Sequence, residues 1–432
     1  MSAEAKRKPK PATPAKQKPS GHLSDEALLD LVQAQTLRYF WEGAHPLCGL
    51  ARDRTGFSAD PEDDLVATGG SGFAVLAIIV GVARGFIARS EAVERLARIL
   101  AFLEQAPCYH GLFPHYMNGR TGQPIRFGRK DDGSDIVESS FLFQGLLCAR
   151  QYFDAASPVE RDLRDRITWL WQDAEWDWHT RDGRHVLTWH WSPNNGFTLD
   201  HEIRGWNECL ITYVLAASSP THPIAPRVYH DGFAEGRTFL NKRRYYDIEL
   251  PLGPDYGGPL FFAHFSFCGL DPHGLKDAYA DYFEQNRAHT LIHYRHCVEN
   301  PHHYKGYGPD CWGLTASDGP QGYGAHAPDN DNGTITPSAA LSSFPYAPEE
   351  AMRALRYFHD VLGKRLWGRF GFADAFCEKE DWVANSYLAI DQGPIIGMIE
   401  NFRSGLLWKL FMADPDIQQG LKRLGFSGPN IS

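Results

Sequence analysis

Val66-Ala67-Thr68-Gly69-Gly70-Ser71-Gly72-Phe73-Ala74-Val75-Leu76-Ala77-Ile78-Ile79-Val80-Gly81-Val82-Ala83 is apolar on nearly every face when wound as a helix. The stretch from Ile136 to Phe153, IVESSFLFQGLLCARQYF, reads the same way. A helix without a polar face is stable only when other helices enclose it. These two segments therefore call for an inner layer of helices wrapped by an outer one. The outer type is also present: Val93, Leu96, Ala97, Leu100 and Leu103 form one stripe of a helix that Ser90 can cap and Pro107 stops.

Helical periodicity recurs over 25–41, 160–173, 202–217, 276–293, 349–362 and 394–412. No repeat of fixed length connects these segments, which weakens a solenoid, and a closed double ring of helices fits them better than an open bundle. Long connections at 180–200, 251–275 and 300–347 are crowded with Gly, Pro, His, Trp and Tyr. Connections of that length in a folded domain usually carry function, and their aromatic content distinguishes them from flexible linkers. They are expected to build a cleft.

The charge balance narrows the partners. Lys and Arg number 43 against 53 Asp and Glu, a net charge of −10, which argues against nucleic acid or an anionic membrane as the main partner. Residues 1–20 hold six basic side chains and one acidic, with prolines between them, and are expected to form a disordered tail. The expected domain is 21–432. The longest apolar run, 72–83, is too short to span a bilayer, and no export signal precedes the first periodic segment. A cytoplasmic location follows as the expectation, or a periplasmic one if the start site is misassigned. The eight cysteines are never closer than fourteen positions, so there is no CxxC motif and most should be buried thiols.

Four constellations can carry chemistry. In the first, Asp131, Asp132, Asp135 and Glu138 precede and enter an apolar helix, where the N-terminus favours negative charge. Plain capping is the simpler account of these residues taken alone. In the second, Glu208 of Trp206-Asn207-Glu208 stands among residues that want burial. Burial raises a carboxyl pKa toward the range a general acid needs. Arg204, four positions earlier, could instead neutralise it as an ion pair.

The third is Ile390-Asp391-Gln392-Gly393-Pro394, where Pro394 suits the first position of the last long helix. There Asp391 could simply order the turn, and Glu400 could pair with Arg403. The fourth is aromatic and polar: Trp191, Trp312 and Tyr323, with Asn195 and His303, lie in Gly-rich loops where flat rings beside hydrogen-bonding groups suit sugars.

Other chemistries lack their residues. There is no GxSxG elbow, phosphate-binding glycine loop with its lysine, or HExxH pair. Gly69 to Gly72 instead reads as a close-packed helix start. Asp329 to Gly333 only superficially resembles a calcium loop, since no glutamate closes it. Neither metal nor cofactor is expected.

Arg38-Tyr39-Phe40-Trp41, Gly70-Ser71-Gly72-Phe73, Asp135-Ile136-Val137-Glu138, His190-Trp191-Ser192-Pro193-Asn194, Trp206-Asn207-Glu208, Ser218 to Pro223, Ile390 to Pro394 and Ile399-Glu400-Asn401 occur in this order. Together they resemble the glycoamylase-like domain that includes glycoside hydrolase family 144, whose members act on β-1,2-glucan. The resemblance implies an all-α fold, an (α/α)6 double ring, and hydrolysis with inversion. It implies Glu208 as proton donor, Asp391 as base, and Asp135 and Glu138 as further carboxylates required for activity. Asp131, Trp191, Asn195, His303, Trp312 and Tyr323 are the expected sugar contacts. An inverting pair should stand roughly 6.5–9.5 Å apart, unless water or hydroxyls relay the proton. An epimerase or lyase relying on the loop histidines, and a carbohydrate-binding protein without activity, are the competing readings.

Overall fold

Burial in the computed structural model follows the apolar stretches. The residues described are 23–56, 64–235 and 239–431; the tail expected at 1–20 lies outside them. The main helices are α1 (Asp25–Trp41), α2 (Thr68–Ala83), α3 (Arg89–Leu103), α4 (Ile136–Tyr152), α5 (Pro158–Asp173), α6 (Leu210–Ser218), α7 (Tyr282–Glu299), α8 (Pro337–Leu341), α9 (Pro348–Arg356), α10 (Ala389–Ser404), α11 (Leu406–Met412) and α12 (Pro415–Arg423). Every residue is buried from Thr68 to Gly81 in α2, from Ile136 to Ala149 in α4 and throughout α6. By contrast, α3 buries one stripe, Ala92, Val93, Leu96, Ile99, Leu100 and Leu103, and α5 buries Leu163, Ile167 and Trp171 beside Glu160.

The contacts arrange these helices in two layers. Helix α2 packs against both α4 and α10, α6 joins α4, and α3, α5 and α12 cover them from outside. Arg150 of α4 ties the layers together through Asp414 (2.6 Å) and Asp416 (3.1 Å) at the start of α12. At the far end of α10, Glu400 takes a bidentate ion pair from Arg84 at 2.6 and 2.9 Å. This replaces the expected Glu400–Arg403 pair, because Arg403 turns outward to Glu26 and Asp30.

Glycines set the closeness of the inner layer. A Cβ on Gly72 would stand 2.0 Å from the Phe141 carbonyl oxygen, and one on Gly145 would stand 2.3 Å from the Gly72 carbonyl oxygen. Both positions let the α2 and α4 backbones touch directly. Gly72→Ala must push backbone against backbone, and is expected to cost about 3 kcal/mol or more of stability. Chemical denaturation of the variant measures this.

Several boundaries differ from expectation. The 202–209 segment is not helical; α6 begins at Leu210, since Gly205 adopts φ 76° and its N–H is committed to the Phe233 carbonyl. Helix α3 starts at Arg89, with the Glu91 carboxylate accepting from the Ala88 N–H, so Ser90 is not its cap. Helix α7 runs later than 276–293 because Asp281 caps it through the N–H groups of Phe283 and Glu284. Helix α10 begins at Ala389, which puts Pro394 inside it, and Gly405 at φ 67° divides it from α11.

Periodicity gave no hint of the short antiparallel ladders in the loops. Arg54–Gly56 pairs with Ser386–Leu388, Ser134–Asp135 with His190–Trp191, and Ala316–Ser317 with Gly324–Ala325. The first two draw distant parts of the chain together at the N-terminal ends of α10 and α4, and the third is a local hairpin. Seven of the cysteines are buried and free, and Cys108 is exposed. Among the described residues, no helix is long and apolar enough to cross a membrane.

Candidate active site

The first turn of α2 is a wedge without side chains. A Cβ on Gly69 would meet the Glu138 carboxylate at 2.5 Å, and one on Gly70 would meet Ala389 Cβ at 2.6 Å. The N-termini of α4 and α10 therefore flank that of α2, and the Gly69 N–H donates to Glu138 Oε2 at 2.8 Å. Three positive helix ends converge on one place, the environment in which carboxylates gather at least cost.

Asp135 caps α4, its Oδ1 accepting from the N–H groups of Val137 and Glu138, both at 3.0 Å. Its Oδ2 faces His115 Nδ1 at 3.0 Å and His190 Nδ1 at 3.6 Å. His115 Nε2 lies 3.9 Å from Glu138 Oε1, which places the ring between two carboxylates. Burial opposes a charge on His115, but Glu138 and Asp135 outweigh it and push its pKa up to about 9. Burial also works to raise Asp135, yet the contacts with His115 and His190 hold it below the usual range. Glu138, buried and next to the Asp135 charge, is pushed up to about 7 against the pull of His115.

Glu208 stands in the turn before α6, half-buried. Its carbonyl accepts from Ser266 Oγ at 2.6 Å, and the same oxygen atom of Ser266 accepts from the Ile211 N–H. The hydroxyl thus ties this turn to the helix start. Burial raises the Glu208 carboxyl to about 7, with help from the charges of Glu138 and Asp135. Arg204 does not neutralise it. The Arg204 guanidinium is turned toward Glu202 (2.7 Å), Glu235 (2.5 Å) and the Asp231 and Gly232 carbonyls, since without helix at 202–208 the four-residue spacing no longer brings the two side chains together.

Asp391, in the first turn of α10, is 3% exposed. Its Oδ1 accepts from Ser338 Oγ of α8 at 3.1 Å. Burial lifts it to about 7, although the hydrogen bonds from Asp374 and Ser338 act to lower it. Periodicity offered no sign of Asp53, Asp318 and Asp374. Asp53 interacts with Glu138 and, through a hydrogen bond, with the Tyr116 hydroxyl, while Asp318 binds Arg54 and Ser386 Oγ. A series of acidic groups thus runs from Glu208 through Glu138 and Asp53 to Asp391.

The expected sugar contacts fare unevenly. Asp131 is buried 3.3 Å from His190, and burial raises it above the usual carboxylate range. It borders a cavity of about 660 Å³ lined also by Phe127, Arg129, Lys130, His190 and His201, the size of small-ligand sites in general. Trp191 sits edge-on to His110 at 5.0 Å, on the strand that pairs with Ser134–Asp135. Asn195 donates to Ser192 Oγ, which itself binds Asp132. Tyr323 is 55% exposed on the 316–325 hairpin, and its hydroxyl faces Asp391, Asp374 and Asp53.

Trp312 is a correction. It is wholly buried, donates through Nε1 to the Glu350 carbonyl at 3.2 Å and packs edge-on against Tyr294, so it belongs to the core. His303 has φ 54° in the exposed turn after α7, where the neighbouring His302 and Tyr304 lean toward His296 and Asp331. Asp331 pairs with His296 at 2.8 Å and accepts from Tyr307, making the calcium-like segment an anchored turn. Among the described residues, no group of three or more His, Cys, Asp or Glu side chains could hold a metal ion.

The family model Glycoamylase matches residues 200–415. A crystallised protein from Bacteroides uniformis superimposes with a TM-score of 0.93 at 57% identity, over 96% of this chain and 100% of its own. An endo-β-1,2-glucanase from Chitinophaga pinensis, crystallised with sophorotriose and glucose, gives 0.92 at 50% identity over 95% of this chain and 100% of that one. The exo β-1,2-glucooligosaccharide sophorohydrolase (non-reducing end) of Parabacteroides distasonis is 45% identical over 93% of this chain, which spans 58% of that relative's length. The chain belongs to the glycoamylase-like family.

Proposed function

We propose that the chain is an inverting glycoside hydrolase of β-1,2-glucan, built on an (α/α)6 double ring, with Glu208 as general acid and Asp391 as general base. The observation that carries this reading is the state of Glu208: half-buried, without a basic partner in Arg204, and holding its proton up to about pH 7 beside Glu138 and Asp135. A carboxylic acid in that state can protonate a glycosidic oxygen at neutral pH. The names of the relatives supply the linkage, and sugar in the Chitinophaga pinensis crystal supports a carbohydrate ligand.

In this mechanism Glu208 protonates the leaving oxygen while a water, deprotonated by Asp391, attacks the opposite face of the sugar ring. Asp391 is nearly enclosed, so in this mechanism it acts on the water through a hydroxyl relay. Asp135 and Glu138, with His115 held charged between them, surround the reacting sugar and keep Glu208 protonated. Asp131, Trp191 and Tyr323 contribute to the cleft walls.

Incubation with linear β-1,2-glucan and, in parallel, laminarin, cellulose fragments and starch, followed by chromatography, tests the assignment. Only the β-1,2-glucan should fall to sophorose or short β-1,2-linked oligosaccharides, with no unsaturated product. Breakdown of starch alone would remove the linkage assignment, and an unsaturated product would point to a lyase. The pH dependence has a definite sign. Asp391 must be ionised, so activity falls as pH drops below about 7; Glu208 must be protonated, so it falls as pH rises above about 7. A narrow bell for kcat/KM centred near neutrality is the expected profile.

A further inference from the structure

Asp374 lies between the short strands Gly371–Phe372 and Phe376–Cys377 and is 2% exposed. Its backbone is fixed by its N–H, which donates to the Ser386 carbonyl at 2.9 Å. Its Oδ2 accepts from the Asp318 N–H at 2.7 Å. Asp391 Oδ1 is likewise occupied, by Ser338 Oγ. One oxygen remains on each side chain, Asp374 Oδ1 and Asp391 Oδ2, both sealed from solvent without a donor from any third residue. The two carboxyl groups lie close enough for each to act on the other's charge.

Two ionised carboxylates buried side by side, each with an unpartnered oxygen, would repel, and one proton shared between them removes both costs. The surroundings favour Asp374 as its holder. Burial and then the Asp391 charge raise Asp374, and the contact with Asp374 acts to favour ionised Asp391, as does Arg54. The other charged or titratable groups facing the pair are Asp53 and Arg54 from the 54–56 strand region, Asp318 and Tyr323 from the 316–325 hairpin, and Tyr39 from α1. Arg54 favours ionised Asp391, whereas Asp318 opposes it.

We propose that Asp374 is a positioning residue for hydrolysis: it remains neutral through the working pH range and donates its proton to Asp391 Oδ2, fixing that carboxylate in orientation and in its ionised form. This rests on the reading of Asp391 as base. The same side chain accepts from the backbone of the hairpin that carries Tyr323, so it links the base to the wall of the cleft.

Asparagine reproduces this pattern, with one oxygen to accept from Asp318 and one N–H to donate to Asp391. Asp374→Asn should keep kcat on linear β-1,2-glucan within about fivefold of the parent and leave the acidic limb of the kcat/KM profile within about half a pH unit. Asp374→Leu removes the donor, and should move that limb up by about one unit or more and lower kcat by about tenfold or more. If Asp374 were instead the ionised partner, both variants would delete a negative charge and the limb would move down by about one unit or more; that result, or a limb unmoved in Asp374→Leu, overturns the proposal. Should Asp374→Leu fail to fold, Asp374→Asn alone still separates an unmoved limb from a lowered one. Asp391→Asn, measured in parallel, isolates the underlying reading: if it retains activity and the acidic limb, Asp391 is not the base, whatever the Asp374 variants do.

Discussion

Glu208→Gln should lower kcat on linear β-1,2-glucan by about 10³-fold, with a smaller change in KM, because glutamine keeps the shape of the side chain and loses the proton that the leaving oxygen must receive. Reducing-sugar release under saturating substrate measures it. The same substitution should stabilise the fold at alkaline pH. The folded-state pKa of Glu208 is about 7 against an ordinary 4.5, so its favourable contribution is complete below pH 4.5 and lost as pH rises through 7. Glutamine has no charged form to bury, and at pH 8 the variant should gain about 1–3 kcal/mol relative to the parent, with no gain at pH 4. Denaturant titrations at the two pH values check the sign, and a cost in stability is the pattern expected of the proposed acid.

Asp391→Asn is the second large effect. An amide cannot take a proton from water, and kcat should fall by about 10²–10⁴-fold. The residual rate should lose the acidic limb of the bell while keeping the alkaline limb, because Glu208 still titrates. A pH series on the variant distinguishes this from general disruption of the site, which would lower the rate at every pH alike. Rescue by a small external anion such as azide, giving a glycosyl azide of inverted configuration, would support the same assignment.

The features legible beforehand are those written locally. The absence of a polar face in 66–83 and 136–153 foretold enclosed helices, since no surface position tolerates such a pattern. The glycines of 69–72 foretold close packing, and the distances at Gly72 and Gly145 bear that out. Asp135 and Glu138 stood out because a helix N-terminus and spacing of three are visible in one dimension.

What failed depended on contacts distant in the chain. Arg204 was weighed as a partner for Glu208 on the assumption of helix through 202–208, and Gly205 with its left-handed φ removes that helix. Trp312 sat among polar loop residues, yet Tyr294 from α7 and the Glu350 carbonyl close around it. The carboxylates Asp53, Asp318 and Asp374 are single residues beside short strands. The ladder between 54–56 and 386–388, and the Asp318 N–H that binds Asp374, bring them beside Asp391. No local period announces such pairings.

The identity of the proton donor can be tested by changing how much the leaving group needs a proton. With 2,4-dinitrophenyl β-sophoroside, whose phenolate departs unaided, Glu208→Gln should cleave at a rate close to the parent's while its activity on β-1,2-glucan remains about 10³-fold down. Equal losses on both substrates, or no loss on either, would contradict the assignment of Glu208 as the acid.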